Sequence, residues 1–218
     1  MSNRNENQRK VAEFLLEIKA VQLSPKQPFT WASGRKSPIY CDNRRILSFP
    51  RVRTDIRKLA TEAIVDRYGK PEAIAGVATG GIAIGALIAE ELGIPFIYVR
   101  AAAKDHGTGQ RIEGAFSDLS SVFVIEDLIS TGKSSLSAVD SIRESGLKVT
   151  GLMAFFTYGF NDSIARFAEK DCSFFTLTDY PTMLDVAVKS NYITEDQKTD
   201  LDDWSNDPVS WSDKFQKI

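Results

Sequence analysis

Two adjacent carboxylates, Glu126 and Asp127, stand just before Ser130-Thr131-Gly132-Lys133-Ser134-Ser135. Hydroxyls, a glycine and a lysine at that spacing suit a phosphate group. The backbone N–H groups of a loop that opens a helix form an anion-binding concavity. Carboxylates beside it can accept hydrogen bonds from sugar hydroxyls or hold a metal. Together these residues point to a phosphorylated sugar. The element that must position them is the apolar run Val122-Phe123-Val124-Ile125. It is β-branched or aromatic with no polar break, which predicts a buried strand over Ser121 to Glu126. The carboxylates close that strand, and Ser134 opens a predicted helix that runs to Glu144. Unpaired charge at the end of a buried strand is costly, so ordinary packing does not account for the pair.

Gly132-Lys133-Ser134 also matches the end of the nucleotide-binding pattern G-x-x-x-x-G-K-[ST]. That pattern needs a glycine where this chain has Asp127. The match fails where backbone must wrap the phosphates.

The rest of the chain predicts an α/β protein. Val11, Phe14, Leu15 and Ile18 follow helical spacing, as do Val52, Ile56, Leu59, Ala60 and Ala63. Residues 29–42 predict two short strands around a Ser33-Gly34 turn. Short apolar runs at 73–78, 95–100, 149–158 and 173–177 alternate with helical segments at 82–92, 134–144 and 164–169. That alternation implies a mainly parallel sheet flanked by helices. The chain is expected to form one domain over 1–218, with a small N-terminal hood to about 45, a core to about 190 and a C-terminal extension over 191–218. Residues 101–117 are polar, with Gly107, Gly109 and Gly114 among charged residues. A polar loop that follows a strand at the carboxyl edge of a sheet suggests a mobile lid.

Composition excludes several classes. The chain has 218 residues, 43% hydrophobic and 26% charged, and a formal net charge of −2. That balance suits a globular protein and gives no reason to expect nucleic acid or an anionic membrane as partner. No apolar run approaches the ~20 residues of a membrane span. Met1 to Lys10 is polar, so no signal peptide is expected. Cys41 and Cys172 are far apart and form no metal motif, and a cytoplasmic location would keep them reduced.

The strand, the acidic pair and the loop Ser130-Thr131-Gly132-Lys133-Ser134 resemble the phosphoribosyl diphosphate signature of the type I phosphoribosyltransferases. Tyr98-Val99-Arg100, Lys104-Asp105-His106-Gly107 and Ile112-Glu113-Gly114 resemble the mobile loop of the orotate phosphoribosyltransferases within that family. Phe29-Thr30, Ser33-Gly34-Arg35-Lys36-Ser37-Pro38 and Tyr40 resemble its N-terminal hood. The resemblance runs from about residue 10 to 190 and implies the type I fold, with the hood and the mobile lid. It also implies transfer of a phosphoribosyl group from phosphoribosyl diphosphate to orotate in pyrimidine synthesis, with Mg²⁺ as cofactor and a homodimer as the working form.

The resemblance implies a role for each residue. The 5′-phosphate would sit on Leu128, Ile129, Ser130, Thr131, Gly132, Lys133 and Ser134. Glu126 and Asp127 would accept from the ribose hydroxyls, and Asp127 would favour the positive charge that develops at C1. Arg100, Lys104 and His106 would surround the departing diphosphate, with Lys104 and His106 catalytic. Orotate would meet Ser130, Arg35, Lys36 and Tyr40. Mg²⁺ would be held by substrate oxygens and waters, with no direct protein ligand.

The chain departs from one branch of the family, which carries lysine at the positions of Ala32, Gly80 and Ala101. That branch also has an arginine for orotate on the strand that here ends Phe156-Thr157-Tyr158. Another branch shares Thr157-Tyr158 and Leu177-Thr178-Asp179-Tyr180. A transferase for a different nucleobase and a phosphoribosyl diphosphate-sensing regulator are the competing expectations. The hood and lid motifs weigh against the first, and the absence of a spare DNA-binding segment weighs against the second.

Overall fold

The computed structural model describes residues 2–31, 33–102 and 111–215. Contacts divide the chain into two compact units, Leu47–Leu177 and the pair of segments Met1–Ile46 and Thr178–Ile218.

The two-segment unit begins with helix α1 (Ser2–Glu17), which buries Val11, Phe14 and Leu15 at helical spacing. Strand β1 (Val21–Leu23) follows, then β2 (Phe29–Thr30), β3 (Lys36–Ser37) and β4 (Ile39–Cys41). β1 pairs antiparallel with β4, and β2 with β3 in the register Phe29↔Ser37 and Thr30↔Lys36. The expected pair of short strands around Ser33-Gly34 is therefore present, with Gly34 at φ 82 in its turn.

The continuous unit carries α2 (Pro50–Tyr68), β5 (Ile74–Val77), α3 (Gly80–Leu92), β6 (Phe96–Val99) and β7 (Ile112–Glu113). It continues with β8 (Ser121–Ile129), α4 (Lys133–Glu144), β9 (Lys148–Thr157), α5 (Asn161–Glu169) and β10 (Phe174–Thr176). The sheet order is β10-β9-β8-β5-β6-β7, parallel throughout except for the β6–β7 pair. This is the expected α/β architecture. Val122, Val124, Leu136, Val139, Ile142 and Phe167 belong to one apolar layer. Phe123 faces the other way, its ring 5.0 Å from Tyr68 and 6.3 Å from Phe175. It is fully buried, so Phe123→Ala is expected to cost about 3–5 kcal/mol.

The chain then returns to the first unit with α6 (Tyr180–Lys189), α7 (Glu195–Asn206) and α8 (Pro208–Asp213). α6 packs on α1. A capping box at Thr194 and Gln197 starts α7. Among the described residues no helix is long and apolar enough to cross a membrane.

Candidate active site

Topology locates the crevice. β5 lies at the centre of the sheet, with β6 on one side and β8 on the other. The chain leaves β5 through α3 toward β6, and leaves β8 through α4 toward β9. Ligands of such sheets bind outside the carboxyl ends of the strands where the winding reverses. Here those ends carry Ala78–Gly81 and Glu126–Ser134.

β8 is longer than its apolar run predicts. It continues through the acidic pair to Ile129, because β9 keeps pairing with it, Leu128 with Phe156 and Ile129 with Thr157. The pair therefore lies within a strand, where successive side chains point to opposite faces. Val122, Val124 and Glu126 share one face, and Phe123, Ile125 and Asp127 the other. The contacts agree. Glu126 Oε2 accepts from Ser135 Oγ on α4 at 3.0 Å. Asp127 lies against α3, where a Cβ placed on Gly80 would come 2.1 Å from Asp127 Oδ2.

Glu126 is 4% exposed, and its other oxygen accepts from the Asp127 amide at 3.0 Å. Burial, with the neighbouring Asp127 charge second, pushes its carboxyl up to about 8. Asp127 is half-buried and is the more open of the two.

The Ser130–Ser134 loop follows at once. Ser130 is half-buried, Thr131, Lys133 and Ser134 are exposed, and Gly132 is buried. Gly132 caps α4 at φ 75 and has no side chain to offer its first-turn amides. A Cβ there would come 2.8 Å from the Phe167 ring. The first turn of α4 holds no acidic residue of its own. Arg166 donates to the Thr131 carbonyl at 3.0 Å and braces the loop from α5.

A second, glycine-rich loop lies beside the pair. Thr79-Gly80-Gly81 opens α3 beside Asp127, with no acidic residue in its first turn. A Cβ on Gly81 would come 2.3 Å from the Ile125 carbonyl oxygen, so glycine is what lets α3 start this close to β8. Two helix N-termini thus flank one acidic pair. The paired glycines at a strand end were the available signal. Gly80 is also a position where one family branch carries lysine, and any side chain here must displace the Asp127 carboxylate.

Arg100 follows β6 at the same edge, two strands from Asp127, or about 10 Å at ordinary strand spacing. Its guanidinium lies 3.7 Å from Glu113. Its amide donates to the Arg111 carbonyl, and Arg111 Nε donates back to the Arg100 carbonyl at 2.9 Å. Lys104 and His106 lie outside the described residues. Where a family branch places an arginine, the β9 end carries Thr157, 8% exposed, whose hydroxyl donates to the Ile129 carbonyl at 3.1 Å.

Arg35, Lys36 and Tyr40 belong to the other unit. Arg35 is exposed at the β2–β3 turn. Lys36 Nζ donates to Thr30 Oγ1 at 2.9 Å across the hairpin. Tyr40 packs on Phe29 with ring centroids 5.7 Å apart.

Among the described residues no group of three or more His, Cys, Asp or Glu could hold a metal ion. A divalent cation at the acidic pair would need most of its oxygens from a ligand and from water.

The chain is similar in sequence and in fold to known proteins. Residues 42–179 match the model of the phosphoribosyl transferase domain family. The chain is 52% identical over 200 residues to an orotate phosphoribosyltransferase of Phocaeicola vulgatus, covering 92% of this chain and 94% of that one. Among solved structures it is similar to the orotate phosphoribosyltransferase of Aeropyrum pernix, with TM-score 0.73, 27% identity, and coverage of 84% of this chain and 99% of that one. It is also similar to the UMP synthase of Leishmania donovani, with TM-score 0.77 and 26% identity, covering 91% of this chain but 42% of that longer one. The chain therefore belongs to the type I phosphoribosyltransferases, among the orotate phosphoribosyltransferases.

Proposed function

We propose that this chain transfers the 5-phosphoribosyl group from phosphoribosyl diphosphate to orotate, giving orotidine 5′-monophosphate and diphosphate in pyrimidine synthesis. One observation carries the reading. The acidic pair and the phosphate loop stand together at the switch point, in a chain that is 52% identical to a named orotate phosphoribosyltransferase.

A bond forms between a ring nitrogen of orotate and C1 of the ribose, and the C1–oxygen bond to diphosphate breaks. The 5′-phosphate rests on the loop from Leu128 to Ser134, against amides of α4 and the Ser130 and Ser134 hydroxyls. Asp127 accepts from the ribose hydroxyls. Its charge stabilises the cationic C1 centre more than the ground state. Glu126, buried under α4 and bonded to Ser135 and to the Asp127 amide, anchors the strand that carries Asp127. Arg100, Lys104 and His106 offset the charge that grows on the diphosphate, and His106 donates a proton to it. Arg35, Lys36, Tyr40 and Ser130 hold the planar anionic base. Mg²⁺ would be held by diphosphate and ribose oxygens and by waters, with no direct protein ligand, and would offset diphosphate charge.

The whole chain acts as one catalytic domain, carries its lid between β6 and β7, and works as a homodimer; the lid expected over 101–117 is cut short by strand β7 at Ile112–Glu113. Cys41 and Cys172, far apart in the sequence, suit a reducing, cytoplasmic compartment.

A spectrophotometric assay tests this reading. Purified protein with Mg²⁺ and phosphoribosyl diphosphate is expected to consume orotate, and not adenine, hypoxanthine or uracil. Faster turnover of any of those three than of orotate would overturn it.

A further inference from the structure

The β2–β3 hairpin is too small to hold its own shape. Each strand has two residues, and the pair forms a sheet by itself. Isolated two-stranded hairpins are marginal in water at best. Within the same unit, its support comes from the last two helices. The Lys36 amide donates to Ser212 Oγ on α8 at 2.9 Å, and Ser212 is 1% exposed. At the other end of the turn, the Trp31 ring meets Trp204 on α7 edge-on, with centroids 5.8 Å apart. Trp31 Nε1 donates to the Ile39 carbonyl, which also accepts from Ser37 Oγ. Trp204 in turn packs on Tyr180, whose buried hydroxyl donates to the Leu201 carbonyl at 2.9 Å. Arg35 lies between these two anchor points and is exposed.

We propose that α7 and α8 are the scaffold that sets the base-binding hairpin, with Ser212 as a positioning residue for Arg35 and Lys36. This rests on the assignment of the hairpin to orotate made above. A cross-strand ladder of two residue pairs supplies little resistance to bending. The backbone bond at Lys36 and the aromatic contact at Trp31 therefore decide where the Arg35 guanidinium and the Lys36 ammonium stand. Ser212 is buried for a purpose that packing does not require, because alanine would fill the same place without a hydroxyl to satisfy. The C-terminal segment thus contributes to selectivity for the base without touching it.

Steady-state kinetics of the full-length chain test this. Ser212→Ala is expected to raise KM for orotate about three- to tenfold, the net worth of one backbone hydrogen bond. KM for phosphoribosyl diphosphate and kcat are expected to stay within about twofold, because the phosphoribosyl residues lie on other elements. Ser212→Thr keeps the acceptor, and Ser212→Val has the shape of threonine without it. Any folding defect common to that pair cancels, so orotate KM is expected to rise in Val relative to Thr. Equal KM for orotate in Thr and Val, or equal increases for both substrates in Ala, overturns the proposal. Arg35→Ala is measured alongside. If it leaves orotate KM unchanged, the hairpin does not hold the base, and the underlying assignment fails together with the scaffold. If it raises orotate KM while Ser212→Ala does not, the assignment stands and the scaffold alone is overturned.

Discussion

The acidic strand edge and the β2–β3 hairpin are built in opposite ways. At the edge, a nine-residue strand is paired along β9 and against β5, and two helices start beside it. Sheet geometry alone decides that Glu126 goes under α4 and Asp127 toward α3. In the hairpin, two strands of two residues each pair only with one another. There the placement of Arg35 and Lys36 comes from side chains that reach in from elsewhere in that unit. The contrast fits a division of labour. Under the proposed roles, a phosphoribosyl group would be gripped by backbone amides and fixed carboxylates, and a base would be chosen by adjustable side chains.

The largest effects belong at the strand edge. Asp127→Asn removes one charge beside C1 and is expected to lower kcat by about 10²-fold or more, with little change in melting temperature. Activity within twofold of the parent protein would remove Asp127 from the site. Gly80→Ala is expected to be next. Its new methyl must push aside a carboxylate that a Cβ would approach within 2.1 Å, so kcat/KM for phosphoribosyl diphosphate falls by about tenfold or more. Undiminished kcat/KM would mean that Asp127 works from another position.

The hairpin is expected to show a narrower loss. Arg35→Ala raises KM for orotate by about tenfold through one charge-assisted contact, and leaves affinity for phosphoribosyl diphosphate within twofold.

The smallest effect sharpens the electrostatics of the pair. In the folded protein Glu126 titrates at about 8, above the 4.5 of an ordinary carboxyl. Between those values the folded form holds more protons than the unfolded chain. Stability therefore falls as pH rises through that window and is greatest on its acid side. Glu126→Gln removes this slope. Its melting temperature is expected to gain on the parent by a few degrees at pH 8 relative to pH 5, and a gain at pH 5 alone would contradict the burial of Glu126.

Much of this was legible in the residues, for physical reasons. The run at 122–125 is apolar on both faces because β8 is covered on both. The acidic pair follows it directly and the Ser130–Ser134 loop begins two residues later, so their nearness follows from sequence alone. The strand's true end at Ile129 was not legible. Asp127 is a poor strand former, and only pairing with Phe156 and Thr157 carries the strand past it. The division of the pair between two faces was hidden for the same reason. Gly80 and Gly81 gave a turn, but their close approach to Asp127 and to the Ile125 carbonyl is a tertiary fact. The supports at Trp204 and Ser212 are separated from the hairpin by most of the chain, and no local pattern links them.

Calorimetric titration of phosphoribosyl diphosphate with Mg²⁺ into the parent protein, Asp127→Asn and Arg35→Ala tests the division of labour most directly. The account predicts at least about tenfold weaker binding for Asp127→Asn, and affinity within twofold of the parent for Arg35→Ala. Equal weakening in both, or weakening in Arg35→Ala alone, would contradict it.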